Sequence, residues 1–308
     1  LHKEYRRQRQ MCIRDSSKMH PSERDLPTYV SIDESFVGPG YLGNEFSALT
    51  AGKPTFGIPY SVRGISLEDG LTVDRYKSQR RLLDDLDTAF EGFEKLDAPV
   101  RGLDRFGAQA HDIISAPSTR KAFDLEQEKP TESKRFGKHE FGQSLLLAAR
   151  LIEAGVHFVT IRLRPAEFDF DTHTDNFSRL RKLLPPFDKG LACLFDRLKE
   201  RGLFESTAIM VAGEFGRTPD IVGSRMGRNH WPKSFAAFMA GGAIKGGSTY
   251  GKSDENGKEV AENPVKPPDL NATIAYAMGM PLSKIFYSPS GRPFTVAHKG
   301  EPILDVLS

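Results

Sequence analysis

Cysteine is almost missing from this chain: Cys12 and Cys193 are the two among 308 residues. They lie far apart in unrelated contexts, which excludes a disulfide framework and a cysteine-based metal site and leaves the redox compartment open. A charge surplus is also lacking. Lys plus Arg total 43 against 41 Asp plus Glu, a formal net charge of +2, so nothing global favours nucleic acid or an anionic membrane as partner. No run approaches the roughly 18 apolar residues of a membrane span. The N-terminus has no apolar segment of signal-peptide type, and there is neither an internal repeat nor a low-complexity tract. What is present is an ordinary globular composition, 38% hydrophobic, enough for the core of one large domain or two small ones.

The opening LHKEYRRQRQMCIRDSSKMH is basic, has no apolar period and joins ordinary sequence abruptly near Pro21. Its MCIRDS piece resembles a translated adapter remnant. Residues 1–20 are therefore expected to be an artefactual or disordered leader. From Asp25 to about Asp74 the text is dense in Gly, Pro and Ser and reads as a covering segment of loops with short extended pieces. Leu82, Leu83, Leu86, Phe90 and Phe93 then recur at helical spacing. A second helix is expected through LDRFGAQAHDIISA, and a short one after a Ser/Thr cap in SAPSTRKAFDL.

The most regular part follows. HEFGQSLLLAARLIEA reads as a helix closed by Gly155, and Val156–Leu163 as a strand of buried type. Asp175-to-Gly202 text is helical with an expected break at Pro185-Pro186. STAIMVA and SFAAFMAGGA are two more apolar strands. Strands alternating with helices predict β-α-β crossovers and a mainly parallel sheet, whose ligand sites lie beyond the carboxyl ends of its strands. YGKSDENGKEVAENPVKPPD reads as a polar hairpin, and a last helix starts near the capping candidates Asp269 and Asn271.

Chemistry-bearing residues collect after these strands. RPAEFDFDTHTDNF supplies Asp169, Asp171, His173 and Asp175, GEFGR supplies Glu214 and Arg217, and GRNHWP supplies Arg228 and His230. Mixed carboxylate and imidazole donors suit a divalent cation such as zinc or manganese, and pure oxygen sites suit calcium or magnesium. Asp171, His173, Glu214 and His230 form a candidate metal set, with Arg217 and Arg228 able to hold phosphate or sulfate beside it. Spacing alone leaves plainer roles open. Asp171 and Asp175 could cap the next helix, Glu214 could pair with Arg217, and His230 could simply pack on Trp231.

The blocks FDTHTDNF, LKERGLFESTAIMVAGEFGRTPDI, GRNHWPKSFAAFMAGGAIKGG and KPPDLNATIAYAMGM resemble, in order, those of domain-of-unknown-function family 1501. GPGYLG, RRLLDDLD, RKAFDLEQE and FGQSLLLAARLIEAGVHFVTI extend the resemblance from about Pro27 to the end. That family is grouped with the alkaline-phosphatase-like, sulfatase-like superfamily. The resemblance implies an α/β three-layer sandwich with a mainly parallel sheet and metal ions at its strand ends. It implies Asp171, His173, Glu214 and His230 as metal ligands, Arg217 as the anion binder, and hydrolysis of sulfate or phosphate esters on a small anionic molecule or a sulfated or phosphorylated glycan. A non-catalytic protein binding anionic glycans or a protein partner on the same fold, or a phosphate transferase, is the alternative. The resemblance further suggests a periplasmic or secreted protein, although no apolar stretch follows Arg6 and Arg7 to make a twin-arginine signal. Three departures stand out. Asn229 replaces the family's usual aspartate, Glu-Phe stands where the superfamily usually has Asp-His, and neither a nucleophile nor the first metal aspartate is found. Residues 21–308 are accordingly expected to be the C-terminal portion of one such domain, with little or no activity alone.

Overall fold

The computed structural model describes residues 16, 18–20, 26–33, 46–62, 75, 78, 116–163, 170–288 and 290–308. In chain order the elements used below are β1 (Tyr29–Ile32), β2 (Leu49–Ala51), α1 (Pro117–Phe123), α2 (Pro130–Phe136), α3 (Glu140–Ala154), β3 (Phe158–Ile161), α4 (Asn176–Glu200), β4 (Ala208–Ala212), β5 (Gly216–Arg217), β6 (His230–Trp231), β7 (Ala237–Gly241), β8 (Lys252–Ser253), β9 (Val260–Glu262), α5 (Pro267–Ala277), β10 (Ile285–Tyr287) and β11 (Pro293–Thr295). The helix expected from Asp74 lies outside the described residues apart from Arg75 and Ser78. So does the next one, apart from Ala116 at its end.

Helix α3 organises the core. Its run Leu145, Leu146, Leu147, Ala148, Ala149 and Leu151 is buried, and a helix apolar around most of its circumference must be covered on several sides. One side meets Val30, Ile32, Ala51 and Phe123; another meets Cys193, Leu194 and Leu198 of α4. Each leucine fully removed from water there contributes about 2 kcal/mol. The helix starts where His139 Nδ1 accepts from Gly142 N at 3.1 Å. It stops, as its sequence predicts, at left-handed Gly155.

β1 lies between β2 and β3, parallel to both. All four of its residues are buried, which corrects the reading of residues 25–74 as mere covering: the glycines and prolines punctuate that segment, and four residues of YVSI suffice for a central strand. Among the described strands, parallel pairing is confined to β2–β1–β3. β4 pairs antiparallel with β7, and β5–β6, β8–β9 and β10–β11 are antiparallel too. The link from β4 to β7 contains the β5–β6 pair and no helix, so nothing carries the chain back to the starting end as a parallel crossover requires. β3 and β4 are only half-buried, not the buried strands expected, since each has a single hydrogen-bonded neighbour among the described strands. Ile161 of β3 and Ile209 of β4 nevertheless pack against the same α3–α4 cluster. The architecture is thus mixed α/β, with a small parallel sheet and several small antiparallel ones.

Helix α4 runs unbroken through Pro185 and Pro186, contrary to the expected break. The carbonyls of Arg181 and Lys182, which lose their amide donors, belong to exposed residues, so water can satisfy them. Helix α1 begins at Pro117 in the first-turn position without any Ser/Thr side-chain cap. The 252–262 hairpin forms as expected. Asp269 acts inside the first turn of α5, its Oδ2 accepting from Lys266 N at 2.9 Å. Of the expected leader, Met19 packs beside Phe46 on the Ala272–Phe286 cluster.

Candidate functional site

Two loops are laced together. Arg228 N donates to Thr172 O at 3.0 Å, Asp175 N to Arg225 O at 3.0 Å and Asn176 N to Met226 O at 2.9 Å. Buried Thr172 adds an Oγ1 bond to Asn176 Oδ1 at 2.6 Å. The loops approach so closely that a Cβ on Gly227 would lie 1.9 Å from His173 O. This is why the Met-Gly-Arg sequence needs its glycine. Asp175 is the residue preceding α4, but its φ is 47° and its side chain caps nothing.

The short β5–β6 pair sets the other half. Its register puts Arg217 opposite His230 and Gly216 opposite Trp231. A Cβ on Gly216 would meet Ser234 O at 1.8 Å. Trp231 Nε1 donates to Lys258 O at 2.7 Å, so the indole anchors β6 to the 252–262 hairpin, and the rings packed against His230 are those of His173 and Phe215.

Lacing and register together bring Asp171, His173 and His230 into one group whose donor atoms lie within 4.8 Å of one another. His173 Nε2 is 3.1 Å from His230 Nε2, and each is 3.1 Å from Asp171 Oδ1. Arg217 Nη2 donates to that same oxygen. The Phe215 ring lies 4.3 Å from the His230 ring, centroid to centroid, and braces it. Burial pushes the Asp171 carboxyl up, but hydrogen bonds from Arg217 and His230 outweigh it and hold the group below its ordinary value. Asp171 is an anion at neutral pH.

Each imidazole can donate an Nε2–H to Oδ1, and all three atoms can instead turn lone pairs toward one cation, because they face one another across 3.1 Å edges. The 3.1 Å edges match the separation of roughly 3.3 Å between ligand atoms of a tetrahedral zinc site with bonds near 2.0 Å. One carboxylate and two imidazoles are also a zinc or manganese donor set. The residues fit a divalent cation.

The other sequence candidates fall differently. Glu214 sits half-buried in the turn between β4 and β5 and lies outside the three-residue group. Arg228 does not face an anion: its Nη1 donates to Thr218 O and Pro219 O, both at 2.5 Å, and its guanidinium lies over Phe177. Arg217 is paired with Asp171, while its Nη1 is buried without a hydrogen-bond partner. Asn229 Oδ1 accepts from Arg225 Nη2 at 3.3 Å. Asp169 lies outside the described residues. The bracing role of Phe215 and the lacing role of Thr172 carried no sequence signal beyond their nearness to the charged residues.

No curated protein matches the chain, and no solved structure does. A family match spans residues 16–307, nearly the full length. On that match the chain belongs to the family described as "Protein of unknown function (DUF1501)".

Proposed function

We propose that the Asp171–His173–His230 centre holds a divalent cation and serves hydrolysis of sulfate or phosphate esters. The observation that carries this reading is the triangle of three donor atoms at 3.1 Å beside a guanidinium with one unsatisfied nitrogen. Zinc or manganese suits the donors best. Asp171 supplies the charge, and His173 and His230 supply lone pairs, with Phe215 bracing the His230 ring and the Gly227 contact fixing the backbone of His173. Arg217 offers planar paired donors to a sulfate or phosphate oxygen. When bound, the cation supplies Lewis-acid polarisation of the ester. No nucleophile is assigned among the described residues, and Glu214 lies outside the three-residue group.

The wider alkaline-phosphatase-like sandwich and an exported location belong to the same proposal. Support for the sandwich comes from the parallel β2–β1–β3 order over α3 and from the donor-bearing loop that follows β3. A second reading, a non-catalytic protein that binds anionic glycans, is favoured by the openness of the centre: the Asp171 side chain is 46% exposed and both imidazoles 37%. Elemental analysis combined with polyanion binding separates the two. Metal uptake abolished by His230→Ala, with the fold intact, supports the hydrolase. A folded protein that takes up no metal yet binds sulfated polysaccharide supports the second reading.

A further inference from the structure

Arg217 and the proposed cation want the same oxygen. Asp171 Oδ1 already accepts from Arg217 Nη2, and it is also the oxygen that faces both imidazole nitrogens at 3.1 Å. The guanidinium therefore does two things to an arriving cation: it occupies a lone pair of a ligand, and it places a positive charge beside the centre. At the same time Arg217 Nη1 is buried with no hydrogen-bond partner, so a guanidinium that swings away from Asp171 toward an oxyanion gives up no other hydrogen bond of that nitrogen and relieves an unsatisfied donor. The Phe215 ring, 5.9 Å from Arg217 Cζ, borders both the guanidinium and His230, so the arginine and the imidazole share one wall.

We infer that Arg217 is an internal counter-cation of the Asp171 centre, and that its transfer from Asp171 to a bound sulfate or phosphate group couples cation loading to anion capture. This rests on the cation reading of the preceding section. Without an oxyanion, Arg217 holds Asp171 and weakens cation binding. With one, the guanidinium has a new partner, Oδ1 is released, and the anion offsets the cation's charge. The coupling is reciprocal by thermodynamic necessity: whatever factor the anion adds to cation affinity, the cation adds to anion affinity. Such a site stays weakly loaded until its substrate class is present. Arg217 is thus a positioning and regulating residue for the cation, in addition to contacting the anion.

The test uses zinc and sulfate as probes, with zinc affinity read by competition with a chromogenic chelator and by the fluorescence of Trp231, the single tryptophan. Sulfate replaces chloride at constant ionic strength. Arg217→Gln keeps a donor for Asp171 but removes the charge, and we expect it to bind zinc about tenfold or more tightly than wild type, the scale of one like-charge repulsion in a partly exposed site. Arg217→Lys keeps the charge and should stay close to wild type. Sulfate should tighten zinc binding severalfold in wild type and leave Arg217→Gln unmoved; the wild-type arm needs no variant to fold. An Arg217→Gln affinity equal to or weaker than wild type, or a sulfate effect that is absent or the same in both proteins, overturns the coupling alone. Wild-type protein that takes up no zinc at all overturns the cation reading and the coupling with it.

Discussion

At the level of single residues, the site depends as much on what glycine omits as on what the charged groups supply. A methyl group at position 227 would meet His173 O at 1.9 Å, a distance at which backbone must move. Gly227→Ala should therefore displace His173, weakening zinc binding by about tenfold or more and costing about 1–3 kcal/mol of stability, the range of overpacking in a tight contact. Isothermal titration and urea unfolding measure the two effects, and a variant with unaltered zinc affinity would show that the loop lacing does not set the imidazole. Strand order in the sequence put Asp171, His173, His230 and Arg217 on loops that follow strands, and the structure brings the first three into one group beside Arg217, while spacing alone left plainer roles open. Neither could separate Arg217 from Arg228. Both flank the same loop, and only the fold reveals that one faces Asp171 and the other ties down the carbonyls of Thr218 and Pro219.

Elements are held by a charged knot as well as by leucines. Arg197 of α4, 4% exposed at its side chain, pairs with Glu128 and Glu153, and Arg150 of α3 shares Glu128. The hydrogen bond from Arg197 leads the effects that lower the Glu128 carboxyl from 4.5 to about 2, against the upward push of burial. A depressed carboxyl stabilises the fold fully above its unfolded value near 4.5 and loses that contribution as pH falls toward 2. Glu128→Gln should destabilise the neutral protein by about 3 kcal/mol, since it strips a partner from a buried guanidinium. It should also flatten the loss of stability between pH 4.5 and 2, which denaturant melts at stepped pH will show. Pro185 offers the opposite sign. It sits exposed inside α4, and Pro185→Ala should raise stability by about 1 kcal/mol by restoring a helix hydrogen bond, partly offset by a freer unfolded chain. A lower melting temperature would mean that the proline shapes the helix for packing. Helix ends were legible at Gly155 and Gly202 because a left-handed stop has a residue signature. The continuity of α4 was not, because it rests on solvent reaching freed carbonyls.

For the molecule as a whole, local patterns yielded element types but not pairings. AIMVA and AAFMAGG read as strands from their apolar runs, and they are strands; that they pair antiparallel depends on a helix-free connection whose course no periodicity encodes. β1 was missed for the converse reason, since four residues in a glycine-rich segment are too few to declare a period. Loops from separate parts of the chain bring Asp171, His173 and His230 together, and the proposal is that they hold one cation. Zinc titration of the wild-type chain and of His173→Ala and His230→Ala in sulfate buffer, each checked for fold by circular dichroism and each assayed for bound metal after dialysis against the same sulfate buffer, is the decisive measurement. Wild-type protein should retain one zinc per chain and neither folded variant any; wild-type protein that stays folded and retains no zinc after saturation in sulfate would overturn the cation centre.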